Sequence, residues 1–127
     1  MTGIARLSLT VIDTPEPLTL ARFYSRLTGL PVGSTEPDWV ELDGSGGPSL
    51  AFQLAPGRRA PAWPEDGALQ FHLDVEVDDL DAAEGAVLEA GATRTEHQPG
   101  TTFRVFLDPH GNPFCLVLAG VPEPAGP

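Results

Sequence analysis

Residues 70–79 read Gln-Phe-His-Leu-Asp-Val-Glu-Val-Asp-Asp, and this stretch carries the densest chemistry in the chain. In extended backbone, successive side chains point to opposite sides. Phe71, Leu73, Val75 and Val77 then share one face, and His72, Asp74 and Glu76 share the other. Neighbours along that line stand roughly 7 Å apart. An imidazole exchanges a proton readily near neutral pH, so His72 suits a general base or a hydrogen-bond partner for a ligand. Asp74 and Glu76 would orient it or hold a cationic group. The competing reading is structural: a half-buried histidine bonded to a neighbouring carboxylate, and acidic groups that neutralise Arg6 across a sheet.

A second alternating stretch covers residues 4–12. Leu7, Leu9 and Val11 fall on one face, and Arg6, Ser8 and Thr10 on the other. Arg6 is suited to clamp a carboxylate or phosphate through paired hydrogen bonds, with Ser8 beside it on the ligand side. Cys115 is the single cysteine; as a nucleophile it would need a nearby base. Its neighbours Phe114, Leu116 and Val117 point instead to a small buried apolar residue that borders the ligand. Trp39, Phe52, Trp63 and Phe103 are candidate walls of an apolar pocket, with core packing the alternative for Phe52 and Phe103. Trp63 stands in a proline-rich segment, where it would cover a pocket mouth or pack on a second subunit. His97 and His110 fall in turn-like segments and are expected in solvent. Gly111 and Asn112 are turn residues.

Regular elements must hold these groups in place. The first strand is followed by Asp13 and Thr14, which offer helix-capping oxygens, and by Pro15 and Pro17, which suit a helix entry. Leu20, Phe23, Tyr24 and Leu27 repeat at i, i+3, i+4 and i+7, the stripe of an amphipathic helix that Gly29 would end. Strands are predicted over residues 30–34, 39–43 and 49–54, and a linker over 55–68. The same order then recurs. A strand covers 69–77, Asp78 and Asp79 cap a helix, and Leu80, Ala83, Val87 and Ala90 form its buried stripe, closed by Gly91. Strands follow over 92–96, 103–107 and 114–118, with a tail from residue 120. The pattern is strand, helix, strand, strand, strand, twice, an internal repeat with Arg6 matching His72 and Asp13 matching Asp79. It predicts an α+β fold of two βαβββ modules, about 4–54 and 69–119, in a single domain over 1–127.

Composition narrows the partners. A chain of 127 residues, 41% hydrophobic, is long enough for one packed domain. A net charge of −11 repels phosphate backbones and anionic lipids, so neither nucleic acid nor membrane is an expected partner. One cysteine permits no internal disulfide, and the first residues lack a basic region followed by an apolar run. A cytoplasmic protein is expected.

With these pieces together, the chain resembles the vicinal oxygen chelate superfamily, which includes glyoxalase I, bleomycin-resistance proteins and extradiol dioxygenases. The matching pieces are Leu9-Thr10-Val11-Ile12-Asp13, Phe23-Tyr24-Ser25-Arg26-Leu27-Thr28-Gly29-Leu30, the run from His72 to Asp81, Gly91-Ala92, and Asp108-Pro109-His110-Gly111-Asn112-Pro113-Phe114-Cys115-Leu116. The resemblance implies an open, bowl-shaped mixed sheet with helices on its outer face and a small-molecule ligand in the bowl. It also implies a possible homodimer. Metal-using members take ligands from the first and last strands of each module. Those positions fall on Arg6, His72 and Cys115, with Gln53 the plausible donor in the strand at 49–54. A guanidinium has no lone pair to donate and repels a divalent ion. The expectation is therefore a metal-independent site that needs no cofactor. It would serve either a binding or sequestering protein or a lyase or isomerase using His72. The alternative is a divalent-metal lyase or dioxygenase with a rearranged set of ligands, His72, Glu76 and Gln53.

Overall fold

The computed structural model describes residues 3, 6–64 and 71–121. The chain divides into two compact units between Arg58 and Arg59, inside the segment read as a linker. Each unit has one helix and a four-stranded mixed sheet in βαβββ order, an α+β arrangement. Among the described residues, no helix is long and apolar enough to cross a membrane.

The first unit runs β1 (Leu9–Thr14), α1 (Pro17–Thr28), β2 (Val32–Glu36), β3 (Trp39–Leu42) and β4 (Ser49–Leu54). Its strand order is β1-β4-β3-β2, with β1 parallel to β4 and the rest antiparallel. A proline in the first turn pre-sets the backbone of α1. Leu20, Ala21, Phe23 and Tyr24 are buried beneath it, while Leu27 is only half-buried. The Tyr24 ring stacks on Phe52 of β4, centroids 5.6 Å apart, and fixes which face of the sheet the helix covers. Gly29 closes the helix at φ 81°, a left-handed backbone that favours glycine, and its N–H donates to the Ser25 carbonyl at 2.9 Å.

Two expectations for this unit are corrected. The helix cap is Glu16, not Asp13 or Thr14; its side chain makes no cap bond, and its own N–H donates to Thr14 Oγ1 at 3.1 Å. Asp13 and Thr14 extend β1 instead. The phase of β1 is also reversed. Parallel pairing sets Ile12 against Phe52 and Thr10 against Leu50, so Thr10, Ile12 and Thr14 point toward the helix side. Thr14 is fully buried, whereas Leu7 is 74% and Val11 42% exposed. Leu7-Leu9-Val11 and Ile12-Thr14 alternate equally well in sequence, and the pairing partner decides between them. Residues 4 and 5 of the predicted first strand lie outside the described residues.

The second unit runs β5 (Leu73–Val77), α2 (Leu80–Glu89), β6 (Thr93–Arg94), β7 (Phe103–Leu107) and β8 (Pro113–Leu118). Its order is β5-β8-β7-β6, again with the first and last strands parallel. Asp79 caps α2, its carboxylate accepting from the Ala82 N–H at 3.1 Å. Replacing that acceptor, Asp79→Ala, is expected to lower stability by about 1 kcal/mol, read as a shift of the urea midpoint at unchanged slope.

Only Leu80 and Val87 of α2 are buried; Ala83 and Ala90 are half-exposed. Part of the attachment to the sheet is ionic. Arg104 of β7 reaches Asp81 at 2.8 Å and Glu84 at 3.1 Å. Hydrogen bonding to Asp81 raises the guanidinium pKa. Leu73, Val75 and Val77 lie opposite Phe114, Leu116 and Leu118 on this helix-facing side. Phe71 does not join them: it precedes β5 and is 85% exposed. Residues 69 and 70 of the predicted strand, 65–68 of the linker and 122–127 of the tail lie outside the described residues. The turn before β8 is held by buried Asp108. Its carboxylate accepts from the backbone N–H of His110 at 2.8 Å, and from Asn112 N–H at 3.0 Å and Nδ2 at 2.8 Å.

Candidate functional site

The site is built on the face of the second sheet turned away from α2. The β5–β8 register places Asp74 beside Cys115 and Glu76 beside Val117. The β7–β8 register adds Val105 beside Cys115 and Phe103 beside Val117. Directly paired residues share a face, so carboxylates from β5 adjoin a thiol and apolar side chains from β7 and β8. Phe103, Val105, Cys115 and Val117 form a buried cluster, and Trp63 packs against it. The Trp63 ring also leans on His97, centroids 5.6 Å apart, so this exposed histidine is in contact with an aromatic ring rather than in solvent alone.

His72 stands immediately before β5. Its Nε2 lies 3.1 Å from Asp74 Oδ1, with the two side chains 25% and 30% exposed. Protonation of the imidazole turns this contact into an ion pair, and the neutral ring keeps a lone pair on one nitrogen. The carboxylate therefore stands where it stabilises the charged ring. One donor atom each from His72, Asp74 and Cys115 lie within 4.8 Å of one another. Cys115 is fully buried, so the thiol forms the floor of this group.

The other sequence-nominated residues are spread between the units. Glu76 shares the face of Asp74 and is exposed. In the first unit, Arg6 and Ser8 precede β1 and are exposed; the Ser8 carbonyl accepts from Ser49 N–H at 3.4 Å. Trp39 is half-buried, its Nε1 donating to Glu41 Oε2 at 3.0 Å. Gln53 is exposed, paired with Asp13 and Trp39. Phe52 lies in the core on the helix side, stacked on Tyr24, and is not a pocket wall. Val105 and Val117, which flank the thiol, were not singled out in the sequence. The repeat itself holds the signal for them, because the module's last strand lies beside its first.

The family resemblance calls for a divalent cation in metal-using members, and the residues present can be tested against it. Within the second unit, the two positions so assigned, His72 and Cys115, are joined by Asp74, which adds a third donor. One sulfur, one nitrogen and one oxygen form a set that suits a zinc-type ion and suits magnesium or calcium poorly. The donors of the second unit therefore fit the group, and the fit includes Asp74 where Glu76 was expected. A separate cleft of about 440 Å³ lies in the first unit between residues 16–19 and 35–37. Two glutamates, two threonines, prolines and a leucine line it; none of the site residues borders it.

Comparison with known proteins follows the geometry. No curated protein sequence matches the chain. Among solved structures, a glyoxalase/bleomycin resistance protein/dioxygenase family enzyme from Burkholderia phytofirmans PsJN is similar at a TM-score of 0.69 and 23% identity, covering 90% of this chain and 98% of that one. A glyoxalase-related enzyme from Fulvimarina pelagi gives 0.66 and 18% identity, with 96% and 94% covered. A bleomycin resistance determinant encoded on the transposon Tn5 gives 0.58 and 20% identity, with 92% and 100% covered. At such identities the likeness speaks for the fold. A family model described as glyoxalase-like domain matches residues 9–117, nearly the whole of both units. The chain belongs to the glyoxalase-like domain family.

Proposed function

We propose that the open face of the second sheet is a small-molecule site at which His72, oriented by Asp74, moves a proton, as in a lyase or isomerase. The observation that carries this reading is the 3.1 Å contact between His72 Nε2 and Asp74 Oδ1 beside the cluster packed by Trp63. A neutral imidazole is a general base with a free lone pair, and a carboxylate beside it stabilises the imidazolium that forms. Phe103, Val105 and Val117 are buried beneath Trp63, so they form a rigid apolar backing behind Cys115 rather than a surface that a bound molecule touches. The reaction class that fits is proton abstraction beside a carbonyl, the proton passing to Nδ1 and back to a neighbouring atom of the same molecule.

A second reading has its own support in the three clustered donors. His72, Asp74 and Cys115 are the residues that would hold a divalent ion, and such an ion supplies Lewis-acid polarisation of a bound oxygen. A sequestering role, with aromatic packing and no turnover, is the third possibility for the same face.

The test is a screen of small carbonyl compounds in D2O, with metal chelated. NMR reads deuterium entering the carbon beside the carbonyl, and thermal shift reads binding. Exchange by the wild type that His72→Ala loses while still binding the compound supports proton transfer. Binding by both proteins with exchange by neither sinks it in favour of sequestration.

A further inference from the structure

We infer that Trp63 is a size-limiting residue: its indole fills a ring-sized seat beside His72 and Asp74, so the site takes small carbonyl compounds and turns away those that carry an aromatic ring. The inference deepens the proposed function and rests on it for the choice of substrate. The filled seat itself rests on packing alone.

A sheet covered by a helix on one side often leaves its other face to solvent. Here the centre of that other face is dry. Phe103, Val105, Cys115 and Val117 are between 0% and 8% exposed, and Trp63 packs on them. Cys115 belongs to this cluster, and its sulfur lies within 4.8 Å of donor atoms of His72 and Asp74. The seat and the proposed base are therefore neighbours, joined through the Asp74–Cys115 pair of β5 and β8.

The indole is fixed rather than loosely laid. Its ring leans on His97, centroids 5.6 Å apart. The loop that carries His97 is tied to β7. Gln98 Nε2 donates to the Val105 carbonyl at 2.9 Å, and the Val105 N–H donates to Gln98 Oε1 at 2.9 Å. Three residues before Trp63, the chain lies against the turn that precedes β8. A Cβ at Gly111 would stand 2.7 Å from the Ala60 Cβ, an approach that glycine alone permits. Held at Ala60 and at the ring itself, the indole acts as part of the wall. His72 and Asp74, 25% and 30% exposed, remain open to solvent. A short carbonyl compound reaches the imidazole directly, whereas a phenyl group attached to it competes with the indole for the same apolar patch.

The experiment compares the full chain with Trp63→Ala, metal chelated. Alkylation of Cys115 by iodoacetamide, read by mass spectrometry, probes the cover without any substrate. The wild-type thiol should be nearly inert, and Trp63→Ala should react at least ~10-fold faster. Added indole, which matches the missing side chain, should return the variant to slow labelling and raise its Tm, and should do neither to the wild type. Labelling of the variant should hold steady across urea concentrations below the unfolding transition, because loss of a local cover exposes little further surface. A steep rise with urea would show global unfolding instead and overturn the seat, as would equal labelling of the two proteins or indole without effect on the variant.

Thermal shift and deuterium exchange then use butanone and its phenyl-bearing analogue benzylacetone. The rate for benzylacetone relative to butanone should rise at least ~10-fold in Trp63→Ala, through KM rather than kcat. Trp63→Phe keeps a ring in the seat, should stay near the wild-type ratio, and provides a second test if the alanine variant fails to fold. An unchanged ratio in Trp63→Ala, or a Trp63→Phe ratio as high as that of the alanine variant, would overturn the size limit. If neither ketone is exchanged by any of these proteins, but benzylacetone raises the Tm of Trp63→Ala alone, the seat and its size limit stand without the proposed proton transfer.

Discussion

A Phe52→Ala chain is expected to lose about 3–5 kcal/mol of stability. Phe52 is fully buried in β4, and its ring is stacked against Tyr24 of α1. Truncation removes an aromatic side chain from a close-packed layer and leaves a cavity that the sheet ladder cannot easily fill. Pairing with Ile12 on one side and Val40 on the other holds the backbone at that point, so collapse into the void is limited. The expected loss is a large part of what a domain of this size has to spare. Urea denaturation followed by far-UV circular dichroism reads it. A loss under about 1 kcal/mol would mean that this ring does not join the helix to the sheet.

His72→Ala has the largest expected effect on turnover, about 10²- to 10⁴-fold in the rate of deuterium exchange. The side chain is a quarter exposed at the end of a strand, and its removal leaves no sealed cavity, so stability should change little. That contrast separates the two substitutions: one disturbs the packing of the first unit, the other the chemistry of the second. Asp74→Asn should retain part of the rate. An amide keeps a polar group beside the ring, but it stabilises the charged imidazolium less well. Equal rates for His72→Ala and the wild type would remove the imidazole from the mechanism.

Much of the fold was legible because the repeat constrained it. The strands predicted at 49–54 and 103–107 match β4 and β7, and Gly29 ends α1 as its position suggested. Where two alternations compete, sequence alone does not choose. In β1 the apolar run passes from odd to even positions at Ile12, and only the opposing Phe52 selects the phase. Phe71 looked like the first core residue of its strand, yet the described strand begins at Leu73 and leaves it in solvent. The grouping of the candidate residues was legible in half. His72 and Asp74 are two residues apart, and their alternation on one strand already brought them together. Cys115 is 41 positions beyond Asp74 (115 − 74), and their adjacency depends on a parallel ladder that no local pattern reveals. Phe52 was nominated as a wall because aromatic type does not report which side of a sheet a ring occupies.

The two halves share one plan but have invested it differently. The first attaches its helix through a layer of rings and aliphatic chains, whereas the second relies on two apolar anchors and an arginine clasp. Random substitutions should thus reveal opposite sensitivities along the chain. Within the two helices, changes of side-chain size would be felt most in α1, and changes of charge most in α2, where Asp81 and Glu84 meet Arg104.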